Sequence, residues 1–452
     1  MNDHDSERLA GLLTADGLVP TDDLETADVV VFNTCCIREN ADNKFYGHLG
    51  NLKTLRESRP DMQIAVGGCL AQMDRERIQQ RAGHVDVVFG THNLANAPKL
   101  LRQAAETGPL MEILDEPLPE DVAGGTAQAA LSAVRELPYA AWVTIQMGCD
   151  NSCAFCIVPS VRGGEVSRPF DELVDEVRDL ADRGVSEVTL LGQNVNSYGR
   201  DLTRRRPLFA ELLRRVGAVD GIRRVRFTSP HPKDLRPETI AAMAETPEVC
   251  NHLHLPLQSG SDATLVAMRR GYTAERYLER LAAARAAIPD LAVTTDLIVG
   301  FPGEGDDDFE RTLEVVAEAE YDSAYTFIFS PRPGTRAAAM EDRFVPAEVI
   351  AERFERLRVV VERSALAKHH ARIGRTEEVI VEGPSKRDAS TITGRTGQNK
   401  LVHFVPEPGS GCTPGAFADL RVVGAARHHL RGELVEVTAR PRHRTRIPVS
   451  AG

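Results

Sequence analysis

Cys149, Cys153 and Cys156 lie in the run Gln-Met-Gly-Cys-Asp-Asn-Ser-Cys-Ala-Phe-Cys-Ile-Val-Pro, which crowds three thiols into one loop. The spacing is Cys-x3-Cys-x2-Cys, and no further Cys or His follows at ligand distance. A structural zinc site closes its tetrahedron with four protein ligands. A cubane [4Fe-4S] cluster held by three cysteines instead keeps one iron free to bind something from solution. Spacing favours the cluster and leaves the zinc knuckle as the alternative.

Composition bounds the rest. With 452 residues, 42% of them hydrophobic and 27% charged, the chain has material for about three soluble domains. Met1-Asn-Asp-His-Asp-Ser-Glu carries no signal peptide or apolar span, which predicts a cytoplasmic protein with no membrane partner. Eight cysteines in so long a chain fit metal ligation in a reducing compartment better than a disulfide framework. The net charge of −12 argues against a polyanionic partner for the whole molecule, but it is uneven. From Arg372 to Gly452, 13 Lys and Arg stand against 8 Asp and Glu, which leaves +5 there and −17 elsewhere. A basic module on an acidic body is the pattern of a protein that docks nucleic acid with one domain and does chemistry with another; a solvated surface with a basic tail fits the charge equally well.

The pattern predicts an α/β chain in several parts. Residues 1–115 alternate short β-branched strands with helical stretches: Asp28-Val-Val-Val-Phe-Asn-Thr-Cys, Gln63-Ile-Ala-Val-Gly-Gly-Cys and Val85-Asp-Val-Val-Phe-Gly. A doubly wound parallel sheet follows. Residues 116–134 read as a linker, rich in breakers and without amphipathic period. Residues 135–371 hold six strand candidates, beginning at Ala141, Glu187, Arg224, Asn251, Val293 and Ala324, with amphipathic helices such as 170–183 and 274–288 between them. Six βα units predict a partial (β/α)6 barrel whose active site gathers at the C-terminal strand ends, where the cysteine loop falls. Residues 372–440 turn to short strands and turns, a small β-barrel of the kind that grips looped RNA, and 441–452 form a basic tail.

Taken together, Asn33-Thr-Cys-Cys-Ile-Arg-Glu-Asn, Gly67-Gly-Cys-Leu-Ala-Gln, Gly148-Cys-Asp-Asn-Ser-Cys-Ala-Phe-Cys, Leu191-Gly-Gln-Asn-Val-Asn-Ser-Tyr, Leu255-Pro-Leu-Gln-Ser-Gly-Ser, Asp296-Leu-Ile-Val-Gly-Phe-Pro-Gly-Glu and Ser330-Pro-Arg-Pro-Gly-Thr resemble the methylthiotransferase family of radical S-adenosylmethionine (SAM) enzymes. The resemblance covers essentially the whole chain. The Arg38-Glu-Asn-Ala-Asp-Asn-Lys continuation is similar to the branch that modifies N6-isopentenyladenosine in tRNA, and the C-terminal part to the RNA-binding TRAM domain. The resemblance implies two [4Fe-4S] clusters and SAM, with a methylthio group added to carbon 2 of the isopentenylated adenosine at position 37, in the anticodon loop. It further implies a one-electron donor such as flavodoxin or ferredoxin, and a monomer. Rival readings are a methylthiotransferase acting on threonylcarbamoyl-adenosine tRNA or on a ribosomal protein, and a metal-stabilised RNA-binding protein without catalysis.

Carried onto these positions, Cys149, Cys153 and Cys156 ligate the radical cluster, and Phe155, Gln193, Asn194, His254, Gln258, Ser259 and Gly300 approach SAM. Each has a structural alternative: Gln193 and Asn194 as turn amides, His254 as a packed histidine, Gly300 as a tight turn. Arg162 and Arg168 offer either a bidentate anion clamp or an internal salt bridge with Glu165. Cys250 and Cys412 match no cluster position and read as small packing residues. Cys35 and Cys69 match two ligands of the family's auxiliary cluster, whose first ligand is missing from this chain. Either Cys36 stands in, which requires a turn because neighbours on an extended strand face opposite sides, or the true start lies upstream of Met1, in codons for a strand ending in Gly-Cys-Gln.

Overall fold

The computed structural model describes residues 1–36, 39–115, 133–386 and 388–442. The expected linker except its last two residues, the expected tail beyond Arg442, and the start of the Arg38 motif lie outside the described residues.

Val29–Thr34 (β1), Gln63–Gly68 (β2), Val87–Phe89 (β3) and Leu110–Glu112 (β4) form a parallel sheet in the order β1-β2-β3-β4. Alternation along the strands sends successive residues to opposite faces. Ile64, Val66 and Val88 pack on the helices Glu39–Ser58 and Cys69–Asp74, while Ala65, Val87 and Phe89 pack on Asn2–Ala15 and Ala97–Thr107. Both faces are thus covered, as a parallel sheet requires. Gly67 is dictated by packing: a Cβ there would lie 2.3 Å from the Phe89 ring. The neighbouring Gly68, at φ 92°, turns the chain so that Cys69 opens a helix at the sheet's edge.

The middle of the chain supplies six parallel strands at the six expected places. They begin with Ala140–Thr144 (β5), followed by a short antiparallel hairpin of Gln146–Met147 (β6) and Val166–Ser167 (β7). Glu187–Leu191 (β8), Arg224–Phe227 (β9), His252–His254 (β10), Ala292–Val299 (β11) and Ser323–Ile328 (β12) complete the set. Sheets β5-β8-β9 and β10-β11-β12 are joined by a parallel bridge between Val225 and Val249. The result is an open barrel whose core runs from Val143 and Leu190 through Leu253 and Leu297 to the surrounding helices.

Helix Ala347–His370 leads to a closed five-stranded barrel: Thr376–Pro384 (β13), Ile392–Thr396 (β14), Leu401–Phe404 (β15), Phe417–Ala425 (β16) and Leu430–Ala439 (β17), in the order β13-β14-β15-β17-β16. Sequence patterning had indicated four of the five. The two barrels are latched by arginines. Buried Arg224 donates to the carbonyls of Arg395 and Glu378, and buried Arg226 to those of Thr396 and Gly397 while pairing with Glu187 at 3.0 Å. Buried Lys400 reaches back to Asp322 at 2.6 Å. Among the described residues no helix is long and apolar enough to cross a membrane.

Candidate active site

The cysteine loop occupies the turn of the β6–β7 hairpin, at the C-terminal end of β5. Gly148 makes the turn possible at φ 75°, since a Cβ there would lie 1.9 Å from the carbonyl oxygen of Gly164. The Cys149 N–H donates to Gly163 and the Cys156 N–H to Cys153, both at 3.1 Å. The loop is also stitched to the far side of the barrel. The Ala154 N–H donates to Met268, and the Ala337 N–H donates to Ala154, each at 2.9 Å. Phe155 packs among Met268, Ile298, Phe301 and Phe329, which wall the loop with apolar surface.

Each sulfur of the triad receives an N–H. The Asn151 backbone donates to Cys149, the Val158 backbone to Cys156, and the Arg270 guanidinium to Cys153 at 3.3 Å. Burial pushes the Cys149 thiol up and the Cys156 thiol up to about 11, so neither ionises readily without a positive partner. Three cysteines near enough to feel one another's charge, N–H donors beside them and an apolar wall on one side fit an iron–sulfur cluster. No three His, Cys, Asp or Glu side chains among the described residues converge on a single ion. Arg270 had no sequence signal. It is buried, donates to the Tyr272 hydroxyl at 3.2 Å, and meets Cys153 only through the fold.

Beside the loop, β8 ends in Gly192-Gln193-Asn194. The side-chain oxygens of Gln193, Asn194 and Gln146 are buried with no hydrogen-bond partner, although a buried acceptor is nearly always satisfied. Asn194 is fixed by its amide nitrogen, which donates to Asp234 at 2.9 Å, while Arg200 pairs with the same carboxylate at 2.6 Å. Glu165 accepts from Ser197 at 2.8 Å. Asn194, and Gln146 whose amide nitrogen donates to the Asn194 carbonyl and to Ser197, are thereby held with their side-chain oxygens free. The carboxylate network that holds them was not foreseen, because its members are scattered over 70 positions.

The other expected SAM contacts divide. His254 lies half-buried on the barrel's inner wall, bonded to Thr294 at 3.0 Å and facing Asp296 at 3.4 Å, with its ring edge toward Tyr325. It lines a cavity of about 840 Å³ with Trp142, Arg226, Tyr325 and Lys400. Gln258 holds φ 69°, a conformation costly for a side chain with a Cβ. Ser259 turns away: its hydroxyl lies 3.2 Å from that of Thr312 and accepts the Ser261 N–H. Gly300, at φ 75°, is explained by packing, since a Cβ would lie 2.6 Å from Ile350. Arg162 and Arg168 are taken by salt bridges, to Asp5 at 2.7 Å and Glu176 at 2.6 Å. Neither pairs with Glu165, so the expected partner was wrong: Asp5 of the first helix and Glu176 of the helix that follows β7 supply closer carboxylates.

On the N-terminal domain, Cys36 is buried and Cys35 half-buried. The Cys36 thiol donates to Cys69, which pulls Cys69 down to about 6, aided by the Arg162 guanidinium; the shared proton drives Cys36 up. The structure thus brings Cys36 onto Cys69, with Cys35 adjacent. Arg332 pairs with Asp42 at 2.6 Å beside them. Cys250 and Cys412 are buried among packing residues.

Comparison with known proteins adds three matched regions: residues 143–316 match the radical SAM superfamily, residues 1–90 the uncharacterized protein family UPF0004, and residues 370–435 the TRAM domain. The tRNA-2-methylthio-N(6)-dimethylallyladenosine synthase 1 of Mycobacterium marinum is 51% identical over 446 residues, covering 95% of this chain and 83% of its own length. The tRNA-2-methylthio-N(6)-dimethylallyladenosine synthase of Acidothermus cellulolyticus is 52% identical over 438 residues, covering 96% and 86%. Among solved structures, the radical SAM methyltransferase TsrM from Kitasatospora setae, with cobalamin and a [4Fe-4S] cluster bound, matches 74% of this chain and 73% of its own. Its TM-score is 0.54 at 14% identity, a likeness of fold.

Proposed function

The chain belongs to the tRNA-2-methylthio-N(6)-dimethylallyladenosine synthases, a family of radical SAM methylthiotransferases, and from that premise we propose how its residues carry the reaction. It is an enzyme that transfers a methylthio group to dimethylallyladenosine in tRNA, using SAM and a [4Fe-4S] cluster. Carbon 2 of the adenine at position 37, beside the anticodon, is the acceptor.

Cys149, Cys153 and Cys156 would hold the radical cluster with three protein ligands, so that SAM can bind to it. When bound, the cluster and SAM supply a one-electron cleavage of a sulfonium C–S bond and, through it, hydrogen abstraction from an otherwise inert aromatic position. Arg270 offsets thiolate charge at Cys153, and Phe155 with its apolar neighbours excludes water from the loop. The free acceptors of Gln193, Asn194 and Gln146 would take hydrogen bonds from the hydroxyls of SAM and so orient it. Gln258 and Gly300 shape the rim. His254, held by Thr294 and Asp296, presents a polar face to the barrel interior. Cys69, with Cys35 or Cys36, holds an auxiliary cluster that carries sulfur.

We assign residues 1–115 to the sulfur-carrying domain, 135–371 to the radical core and 372–440 to RNA binding, with 441–452 as a basic extension. The tRNA anticodon loop is the macromolecular partner. A flavodoxin or ferredoxin supplies the electron to a monomer in the cytoplasm.

The observation that carries the mechanism is the three-cysteine loop at the end of β5, walled by apolar side chains, with Arg270 donating to Cys153. Anaerobic reconstitution followed by dithionite tests it. The protein should bind iron at the triad and cleave SAM to methionine and 5′-deoxyadenosine, and Cys149→Ala, Cys153→Ala and Cys156→Ala should each lower that cleavage by at least about 1000-fold, the scale on which removing an essential group acts. Cleavage of SAM by the triple variant, which keeps only the iron of the N-terminal site, would refute the assignment.

A further inference from the structure

Trp142, the only tryptophan in the chain, stands on β5, and Tyr325 stands on β12. These are the first and last strands of the open barrel. Sheets β5-β8-β9 and β10-β11-β12 meet at Val225 and Val249, so β5 and β12 are the two edges that, among the described residues, pair with no further strand. Side chains alternate along a strand: Ala141 and Val143 belong to the core shared with the surrounding helices, which leaves Trp142 facing in. Tyr325 is 60% exposed, although it belongs to the wall of a barrel. Both rings border the same cavity of about 840 Å³, within the roughly 300 to 1,000 Å³ that takes a small ligand.

The cavity's chemistry narrows what enters. Arg226, Arg395, Arg427 and Lys400 line it, and each is already paired with a carboxylate. His252 and His254 share the Thr294 hydroxyl, at 3.0 Å each. Among the described residues no lining Arg or Lys is left over for an anion, so the part of a ligand that lodges here is neutral. What stays open is flat apolar surface on Trp142 and Tyr325, with the His254 ring in T-shaped contact with Tyr325 at 6.3 Å between centroids. Asn399 and Leu401 of the small barrel complete the lining, so the cavity is shared with the domain assigned to RNA binding. A neutral, flat, partly apolar group presented by RNA is an unstacked base, and aromatic side chains are the usual platform for one. Strand register sets both rings near the reacting end. Trp142 pairs with Thr189, and two residues on, roughly 7 Å at the rise of a strand, β8 ends beside Gln193 and Asn194. Tyr325 pairs with Asp296, whose carbonyl accepts the Gln258 N–H at 2.8 Å.

We infer that Trp142 and Tyr325 are recognition residues for the substrate nucleoside: from the two free edges of the barrel they hold one unstacked adenine and the dimethylallyl group it carries. This rests on the reading of dimethylallyladenosine in tRNA as the substrate. The dimethylallyl group has no hydrogen-bonding atom, so apolar contact is what tells the modified base from a plain one, and contact of that kind discriminates by about tenfold or more. An indole and a phenol ring supply it, and the hydroxyl of Tyr325 is dispensable to it.

Because the chain holds one tryptophan, its fluorescence reports on Trp142 alone. Titrating the cluster-loaded full chain with an anticodon stem-loop bearing dimethylallyladenosine should quench that emission, and the same stem-loop with plain adenosine should bind about tenfold more weakly or worse. Tyr325→Ala should weaken binding of the modified stem-loop by about tenfold and narrow the preference over the plain one. Tyr325→Phe, which keeps the flat face, should bind like wild type. Trp142→Ala, followed by the anisotropy of a labelled stem-loop, should lose affinity as Tyr325→Ala does, and Trp142→Phe should recover part of it. Iron content equal to that of wild type verifies that each variant is folded. No quenching by the modified stem-loop, or alanine variants that weaken both stem-loops equally or neither, would overturn the inference. Failure of the underlying reading looks different: with SAM and a reductant, wild type would then leave the modified stem-loop without a methylthio group, whatever its fluorescence.

Discussion

Arg270 shows how one buried side chain sets the character of the site. Its guanidinium donates to Cys153 and rests against Tyr272, so it favours the more negative, reduced state of anything ligated there. Hydrogen bonds to cluster sulfurs raise reduction potentials, and one to a charged group is worth about 1.5 kcal/mol or more. Arg270→Met is therefore expected to move the triad cluster's potential negative by on the order of 60 mV, the one-electron equivalent of that energy. An EPR-monitored redox titration measures it, and an unchanged or more positive potential would show that Arg270 does not act on the cluster. Ser259 carries the opposite lesson. Its place in a recognisable motif marked it as a ligand contact, and in the fold its hydroxyl meets Thr312 and accepts from Ser261, partners that the motif does not announce.

Between residue and molecule, the hairpin that carries the triad depends on a single glycine. Gly148→Ala would drive a Cβ into the Gly164 carbonyl at a positive φ, so the variant should lose iron binding at the triad while keeping the surrounding helices. Full iron occupancy in the variant, by metal analysis, would count against that reading of the loop. The junction of the two barrels makes a second demand. Arg226→Met strands Glu187 and two carbonyls, and breaking a buried pair costs about 3 kcal/mol or more, which denaturant unfolding would register. These elements were legible in the sequence to different degrees. The six barrel strands announced themselves because each is a short run of apolar or alternating residues followed by a polar, Gly- or Pro-bearing loop and an amphipathic helix. Strand β17 did not, because register shifts along β16 and β17 break the alternation by which strands are read. At Cys35 and Cys36 the turn that a shared site would require is available, because β1 ends at Thr34 and the rule that sends neighbours to opposite faces stops there. The Gln193–Asn194 amides were visible as a motif, but the carboxylate that fixes Asn194 comes from a separate loop and only the fold unites them.

Over the whole molecule, burial leaves a pH signature. His4 and His231 are both pushed down to about 2 from an ordinary 6.5, first by burial and then by the nearby cations Arg8 and Arg270. Folded, both rings stay neutral; unfolded, they take up protons near pH 6.5. Between pH 6.5 and 2 the unfolded state binds more protons, so stability must fall as pH drops through that window. At pH 5 the loss should be about 2 kcal/mol per histidine, seen as a lower thermal midpoint than at pH 7. Replacing His231 with an apolar residue of similar size should flatten the slope. The larger picture joins three bodies: a sheet presenting Cys69, an open barrel sealing a three-cysteine loop, and a small barrel latched by Arg224 and Arg226. Mass spectrometry of nucleosides after a single anaerobic turnover tests that picture most directly, with the reconstituted protein, SAM, a reductant and a tRNA anticodon stem-loop bearing dimethylallyladenosine. A methylthio group should appear on carbon 2 of that nucleoside alone, and vanish with Cys149→Ala. Cleavage of SAM by the intact protein with the nucleoside left unmodified would contradict the account.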